Sequence, residues 1–188
     1  RHHSATQRFF VLRWVLYYMK DYDLKKHHRR SIRLKGYDYS QPGAYFLTIC
    51  THKRDPIFGS IVDVEIVSNE YADIVLKCWR ALADYFRNIE LNAFVVMPNH
   101  VHGIVVIKGM EMGGKSLPEI VRVFKTSSSR RINSIRGTTG TPIWQRNYWE
   151  HVIRNQEGLS RIYDYILTNP KRWDLDRENP DRTGEDDF

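Results

Sequence analysis

The strongest constraint on the fold is an apolar segment with a turn in its middle. Residues 95–107 read VVMPNHVHGIVVI, so runs of β-branched residues flank Pro98 and Asn99. Such runs on either side of a turn predict two strands joined as a hairpin. Because side chains alternate across a strand, His100 and His102 share one face of the second strand. Since both faces carry apolar residues, this strand is predicted to be buried.

The two histidines are candidates for a metal site. Imidazoles that project from one face of a strand, two positions apart, can both reach a single divalent ion. The alternative is a pair of strand-end histidines bonded to water or to the backbone. Burial favours the metal, because bare imidazoles away from water need polar partners. We therefore predict that His100 and His102 are metal ligands.

Composition and charge limit the class of protein. A chain of 188 residues suits one domain with a hydrophobic core. The formal net charge of +7 favours a polyanionic partner such as nucleic acid. Cys50 and Cys78 form no C-x-x-C pair and are predicted to be buried thiols in a reducing compartment. The apolar run 9–19 is too short to cross a membrane and contains Arg13, so we expect a cytoplasmic protein.

Hydrophobic periodicity and capping residues predict the elements. In chain order these are strands at 44–51 and 61–66, a helix at 69–88, strands at 89–97 and 101–107, a helix after a capping box at Ser116–Glu119, and a helix at 156–168. The form of residues 143–151 stays open. Strands linked as hairpins with helices between them predict an α+β fold, an antiparallel sheet with helices packed mainly on one face.

The ends of the chain differ from its middle in composition. We predict an N-terminal extension at 1–28, a domain at 29–173 and an acidic flexible tail at 174–188. Residues 1–18 are expected to be upstream translated sequence without a role in the core. The basic stretch at 20–43 is either a solvated arm or one that contacts phosphates.

One motif supports a different function. Residues 109–116, GMEMGGKS, match the phosphate-binding pattern G-x-x-x-x-G-K-[ST] between a strand and a helix. A nucleotide-binding P-loop is therefore an alternative. Against it, the preceding strand belongs to a hairpin, and no apolar strand ending in Asp follows to hold magnesium. Ser116 and Pro118 also account for this segment as the start of a helix.

The last predicted helix offers a nucleophile. Its apolar stripe consists of Leu159, Ile162, Tyr163 and Ile166. This spacing predicts that Tyr163 packs in the core, whereas Tyr165 flanks the stripe. Asn169 follows Tyr165 one turn later on the same side of the helix. The Tyr165 phenol is therefore a candidate nucleophile; the alternative is a tyrosine at the sheet edge with its hydroxyl in water.

Three segments together resemble the REP-associated tyrosine transposases, part of the IS200-like, single-tyrosine group of HUH nucleases. They are MPNHVH at 97–102, WQRNYWEHVIRN at 144–155 and YDYILTNP at 163–170. The resemblance extends over about residues 29–173 and implies a ferredoxin-like HUH nuclease domain. It also implies nicking of single-stranded DNA, in which a tyrosine attacks a phosphodiester and leaves a 5′-phosphotyrosine and a free 3′-hydroxyl.

The resemblance also implies roles for single residues. Tyr165 would be the nucleophile, His100 and His102 would bind Mg²⁺ or Mn²⁺, and Asn169 would complete the metal site. Single-stranded or hairpin DNA would be the partner of a monomer or homodimer. Basic residues predicted to contact this DNA are Arg122, Lys125, Arg130, Arg131, Arg33 and Lys35, with Tyr148 and Trp149 as stacking platforms. The rival prediction is a module that binds nucleic acid without catalysis.

Overall fold

The computed structural model describes residues 37–108 and 114–184. Within them, four strands form the main sheet: β1 (Gly43–Cys50), β4 (Ile89–Val96), β5 (His100–Ile107) and β6 (Trp149–Ile153). A separate hairpin consists of β2 (Gly59–Val62) and β3 (Glu65–Ser68). The helices are α1 (Glu70–Tyr85), α2 (Leu117–Arg136) and α3 (Gln156–Thr168), and a 3₁₀ helix at Asn169–Leu175 follows α3. The main sheet has the order β4-β5-β1-β6, and all its neighbouring strands are antiparallel.

The strand with the two histidines lies inside the sheet, as predicted. All eight residues of β5 are buried, because β1 and β4 flank it and helices cover both faces. In the register of β1 with β5, Cys50 is opposite His100 and Thr48 is opposite His102. The hairpin turn at Pro98 and Asn99 is confirmed.

Helices α1 and α2 cover one face of the sheet. Their apolar side chains pack with those of β1 and β5 in a core that includes Tyr45, Leu47, Val101, Val105, Trp79 and Phe124. Gly103 lies where Trp79 stacks on Phe94, with ring centroids 4.3 Å apart. A Cβ at Gly103 would lie 2.7 Å from the Trp79 ring, so this position requires glycine.

Helix α3 covers the opposite face. Leu159, Ile162, Tyr165 and Ile166 of α3 pack with a second apolar cluster that includes Phe46, Ile104 and Ile153. Because side chains alternate along β5, His100 and His102 lie on this face. The prediction of an α+β fold with an antiparallel sheet is confirmed, and the helices divide two to one between its faces.

Local sequence signals set the helix ends. Asn69 accepts hydrogen bonds from the amides of Tyr71 and Ala72 at the start of α1. The Ser116 amide donates to Glu119 at the start of α2, as the capping box predicts. Helix α3 begins and ends at the predicted residues. No described helix is long and apolar enough to cross a membrane.

One segment differs from its prediction, and another takes a form that the sequence left open. The stretch predicted as one strand at 61–66 is a hairpin, because Asp63 and Val64 take positive φ angles of 50° and 60° and reverse the chain. The open segment at 143–151 contains the start of β6, which forms one edge of the main sheet.

The structure also differs from the prediction of a flexible tail for the residues it describes after 173. Asp176 is 1% exposed and Asn179 is 6% exposed. The Asn179 amide donates to the carbonyl of Trp173 over 3.0 Å. Polar composition alone does not show that these side chains find buried partners. The extension at 1–28, Arg33, Lys35 and residues 109–113 lie outside the described part of the chain.

Candidate active site

The two histidines form the centre of the site. Their Nε2 atoms are 3.0 Å apart, and both side chains are buried. The Asn99 amide nitrogen donates to the carbonyl of Glu178, which leaves the Asn99 carbonyl oxygen to accept from His100 Nδ1 over 2.8 Å. His100 therefore carries its proton on Nδ1 and presents the Nε2 lone pair. His102 Nδ1 is held by the Thr48 hydroxyl at 2.9 Å.

A carboxylate completes the cluster. Asp176 Oδ2 lies 3.7 Å from Nε2 of both His100 and His102. Burial acts to raise the pKa of Asp176, but the nearby imidazoles of His102 and His100 and the hydrogen bond from the Asn169 amide outweigh it and hold the pKa well below its usual range. Asp176 is therefore ionised at neutral pH, inside a site that can use its charge.

The imidazole of His100 is neutral. Burial lowers its pKa well below the usual value, and the neighbouring His102 lowers it further, while Asp176 offsets only part of this effect. Neutral imidazole is the form that ligates metal ions. The site thus presents an anionic oxygen from Asp176 and an uncharged ring nitrogen from His100.

The donor set fits a divalent ion. With metal–ligand bonds of about 2.1 Å, neighbouring ligand atoms lie roughly 3.0–3.4 Å apart. The observed separations of 3.0 and 3.7 Å bracket this range. The three side chains place these atoms within 4.8 Å of one another. Both outer ring nitrogens have partners, as is usual for metal-bound histidines.

Asn169 lies at the site, where it contacts the Asp176 carboxylate. The prediction was that Asn169 itself completes the metal site. Its amide nitrogen donates to Asp176 Oδ2 over 2.8 Å, so it orients the carboxylate. Its oxygen is buried and has no hydrogen-bond partner among the described residues. Asp176 does not follow from the sequence pattern, because it comes after Pro170 in a polar stretch without periodicity that would connect it to α3.

The candidate nucleophile is in contact with the cluster. The Tyr165 hydroxyl lies 3.4 Å from His102 Nε2 and 3.5 Å from Asp176 Oδ2, to which it can donate. The two tyrosines pack differently from the prediction: Tyr165 lies in the apolar cluster and is 8% exposed, whereas Tyr163 is only partly buried. Tyr165 is buried because it faces the histidines rather than solvent.

The predicted basic residues on α2 lie away from this cluster. Arg122, Arg130 and Arg131 are exposed on the helix that covers the opposite face of the sheet. The Lys125 ammonium donates to the carbonyls of Gln145 and Asn147 over 3.0 and 2.9 Å. Lys125 therefore holds the loop before β6 in place.

A cavity of about 560 Å³ opens beside Tyr165. Its wall includes Tyr165, His102, Phe46, Trp149, Arg161 and Arg177. The two arginines bring positive charge to the site, and neither was among the basic residues predicted to contact DNA. Arg161 lies on α3 and Arg177 follows Asp176, so only the packing of these segments shows that they meet.

The fold does not support the P-loop alternative. A P-loop follows a parallel strand, whereas β5 is antiparallel to both of its neighbours. Lys115 pairs with Glu119 at 3.3 Å, one turn into α2. Residues 114–116 are thus accounted for as a helix start; residues 109–113 lie outside the described chain.

Comparison with known proteins shows the family of this chain. The sequence profile of the family described as "Transposase IS200 like" matches residues 44–169. A REP-associated tyrosine transposase of Escherichia coli K12 is 33% identical over 133 residues, which cover 70% of this chain and 68% of that protein. An uncharacterized protein of Haemophilus influenzae Rd is 37% identical over 177 residues, 83% of this chain and 96% of that protein.

A solved structure shares the fold. It is described as a REP-associated tyrosine transposase bound to a REP hairpin, with a TM-score of 0.55 and 23% identity. The match covers 79% of this chain and 74% of that one. Fold and sequence together define a DNA transposase, a class of DNA-cleaving enzymes. The chain belongs to the IS200-like transposase family, and its named relatives there are REP-associated tyrosine transposases.

Proposed function

We propose that this transposase nicks and rejoins single-stranded DNA through a covalent bond between Tyr165 and a 5′-phosphate. The observation that carries the proposal is the position of the Tyr165 hydroxyl, 3.4 Å from His102 Nε2 and 3.5 Å from Asp176 Oδ2. A phenol with a pKa of about 10 is a poor nucleophile at neutral pH until its surroundings favour the phenolate. A cation held beside the hydroxyl by His100, His102 and Asp176 would favour the phenolate.

His100, His102 and Asp176 would hold the divalent metal ion. Mixed nitrogen and carboxylate ligation suits Mn²⁺ as well as Mg²⁺. When bound, the ion would neutralise charge on the scissile phosphate and orient the leaving oxygen. Asn169 acts as a positioning residue, because its amide fixes the rotamer of the Asp176 carboxylate.

The reaction exchanges one phosphodiester bond for another. The Tyr165 oxygen forms a bond to phosphorus, and the bond from phosphorus to the 3′-oxygen breaks. Because Tyr165 lines the open cavity, its phenol proton passes to water there. The 3′-oxygen leaves as a hydroxyl after taking a proton from water. Rejoining reverses these steps, which is why no external energy source is needed.

The substrate we propose is a single strand next to a DNA hairpin. The relative with the shared fold is described as bound to a REP hairpin, and the present chain carries a net charge of +7. Arg161 and Arg177 line the cavity, where they can contact the phosphates near the nicked bond. Arg122, Arg130 and Arg131 would contact DNA beyond the sheet, away from the nucleophile. A DNA-bound enzyme of this kind would act in the cytoplasm.

Tyr165→Phe tests the proposal. The variant loses one hydroxyl and no packing volume, so it should fold normally and bind DNA normally. It should form no denaturation-resistant adduct when a labelled single strand with a hairpin is incubated with protein and Mn²⁺. Tyr163→Phe is the matched control two residues earlier and should keep the adduct. Mass spectrometry of the wild-type adduct should place the nucleotide on the peptide that contains Tyr165.

The same assay separates catalysis from simple binding. His100→Ala should abolish nicking but keep most of the DNA affinity, which depends on phosphate contacts. A wild-type protein that binds hairpin DNA but forms no adduct with Mn²⁺ or Mg²⁺ would support a non-catalytic binding module instead. An adduct on Tyr163 or outside α3 would show that the proposed nucleophile is wrong.

A further inference from the structure

Trp149 lies in the same row of the sheet as the catalytic histidine. Thr48 of β1 is opposite His102 on one side and opposite Trp149 on the other. The backbones of Trp149 and His102 are thus two strands apart, about 10 Å. Side chains of one row point to the same face. The sheet therefore directs Trp149 toward the face that carries the nucleophile.

A series of ring contacts connects Trp149 to the nucleophile. The Phe46 ring lies 6.1 Å from Tyr165 and 5.6 Å from Trp149, measured between centroids. On the far side, His151 stacks on Trp149 with an interplanar angle of 9°. These rings form one wall of the cavity beside Tyr165.

Trp149 is unusual in its exposure. It is 38% exposed, whereas Trp79 and Trp144 in the core are 3% and 6% exposed. The exposed ring is held in place by Phe46 at its edge and by His151 on one side. Because this aromatic surface is already fixed on the cavity wall, the protein needs little further ordering when a ligand binds. The surface suits stacking with a flat ring.

We infer that Trp149, supported by His151 and Phe46, is a stacking subsite for one nucleobase next to the scissile phosphate. The inference rests on the proposed function and adds a second determinant of strand position to the metal site. Arg161 and Arg177 line the same cavity and can hold the phosphate of the stacked nucleotide. Because every base has a flat face, the subsite fixes the register of the strand near Tyr165 without reading its sequence.

An abasic scan tests the subsite. Single abasic nucleotides are placed along a hairpin single strand, and binding is measured in the Tyr165→Phe background, so that no strand is cleaved. At one position within two nucleotides of the nicked bond, loss of the base should weaken binding on the order of ten-fold. With Trp149→Ala added, intact DNA should bind about as weakly as the abasic strand, and the abasic nucleotide should cost nothing further.

Two variants control this experiment. Trp149→Phe keeps an aromatic ring. In this variant, the abasic nucleotide at that position should weaken binding nearly as much as it does when Trp149 is present. Tyr85→Ala removes an aromatic side chain that is 72% exposed on α1, away from the cavity, and should leave the scan unchanged.

The outcomes separate the subsite from the reaction. The subsite is wrong if the abasic nucleotide weakens binding equally with and without the Trp149 side chain. It is also wrong if an abasic nucleotide weakens binding at no position near the nick. Either result would overturn the subsite even if the wild type nicks DNA. If the wild type neither binds nor nicks the strand, the proposed function fails and the subsite fails with it.

Discussion

At the scale of single residues, neutral side chains orient the groups that would bind a cation. The Asn99 oxygen and the Thr48 hydroxyl engage the outer nitrogens of the two imidazoles, so the inner nitrogens face each other at 3.0 Å. Asp176 then supplies a negative charge at equal distance from both. Each ligand atom is thus aimed by a second residue, which reduces the reorganisation that binding requires.

Asp176→Asn should weaken Mn²⁺ binding by more than about ten-fold, because a neutral amide replaces the anionic oxygen of the cluster. Isothermal titration of the two proteins with Mn²⁺ measures the difference. Asp174→Asn, two residues earlier at an exposed position, is the matched control and should bind as the wild type does. Unchanged affinity in Asp176→Asn together with lost affinity in Asn169→Ala would restore Asn169 as the ligand.

The sequence predicts the site in part. His100 and His102 follow from alternation on one strand, and Tyr165 follows from the family resemblance, because the helical stripe assigned it to the wrong side of the helix. Asp176, Arg161 and Arg177 do not follow, because their approach to the histidines depends on how α3 and the 3₁₀ helix pack on the sheet. Hydrophobic periodicity predicts single helices and strands, and it does not predict which residues of separate elements come into contact.

At the scale of elements, the hairpin of β2 and β3 combines regular pairing with a strained turn. Its two central residues, Asp63 and Val64, both have positive φ. Such turns favour Asn-Gly, and a β-branched residue at φ 60° is a conformational outlier. Asp63 and Val64 do not form a typical turn pair, so the sequence pattern predicts a single strand there.

Val64→Gly should stabilise the protein by roughly 0.5–1 kcal/mol, because relief of the left-handed backbone strain exceeds the added entropy of the unfolded chain. For a chain of this size, the melting temperature should rise by about 1–4 °C, measured by calorimetry. Val62→Gly, in the adjacent strand, should lower it instead. A lower melting temperature in Val64→Gly would show that the Val64 side chain stabilises the hairpin by more than its backbone costs.

At the scale of the whole molecule, one chain supplies the complete cluster. β5 brings the histidines, α3 brings Tyr165, and the segment after the 3₁₀ helix brings Asp176. The Tyr165 hydroxyl is within 3.4 Å of His102 in the same chain. A second copy is therefore not needed to bring the proposed nucleophile and the proposed metal ligands together.

A mixing experiment tests this self-sufficiency. Equal amounts of His100→Ala and Tyr165→Phe should form no DNA adduct together, since neither chain holds both an intact metal site and a nucleophile. The adduct per microgram of wild type should not change when the protein is diluted over DNA in excess. Restored adduct in the mixture would mean that α3 of one copy serves the histidines of another.

The presence of a single phenol beside the histidines in the described chain limits how many broken ends one molecule can retain. In the proposed reaction, the bond to DNA occupies the Tyr165 phenol until a 3′-hydroxyl releases it. To free a DNA segment that has two boundaries, the molecule would have to cut, reseal and cut again, or a second molecule would have to cut the other boundary. The order of these events, rather than the strength of any one contact, would then decide whether the segment leaves the chromosome or is sealed back in place.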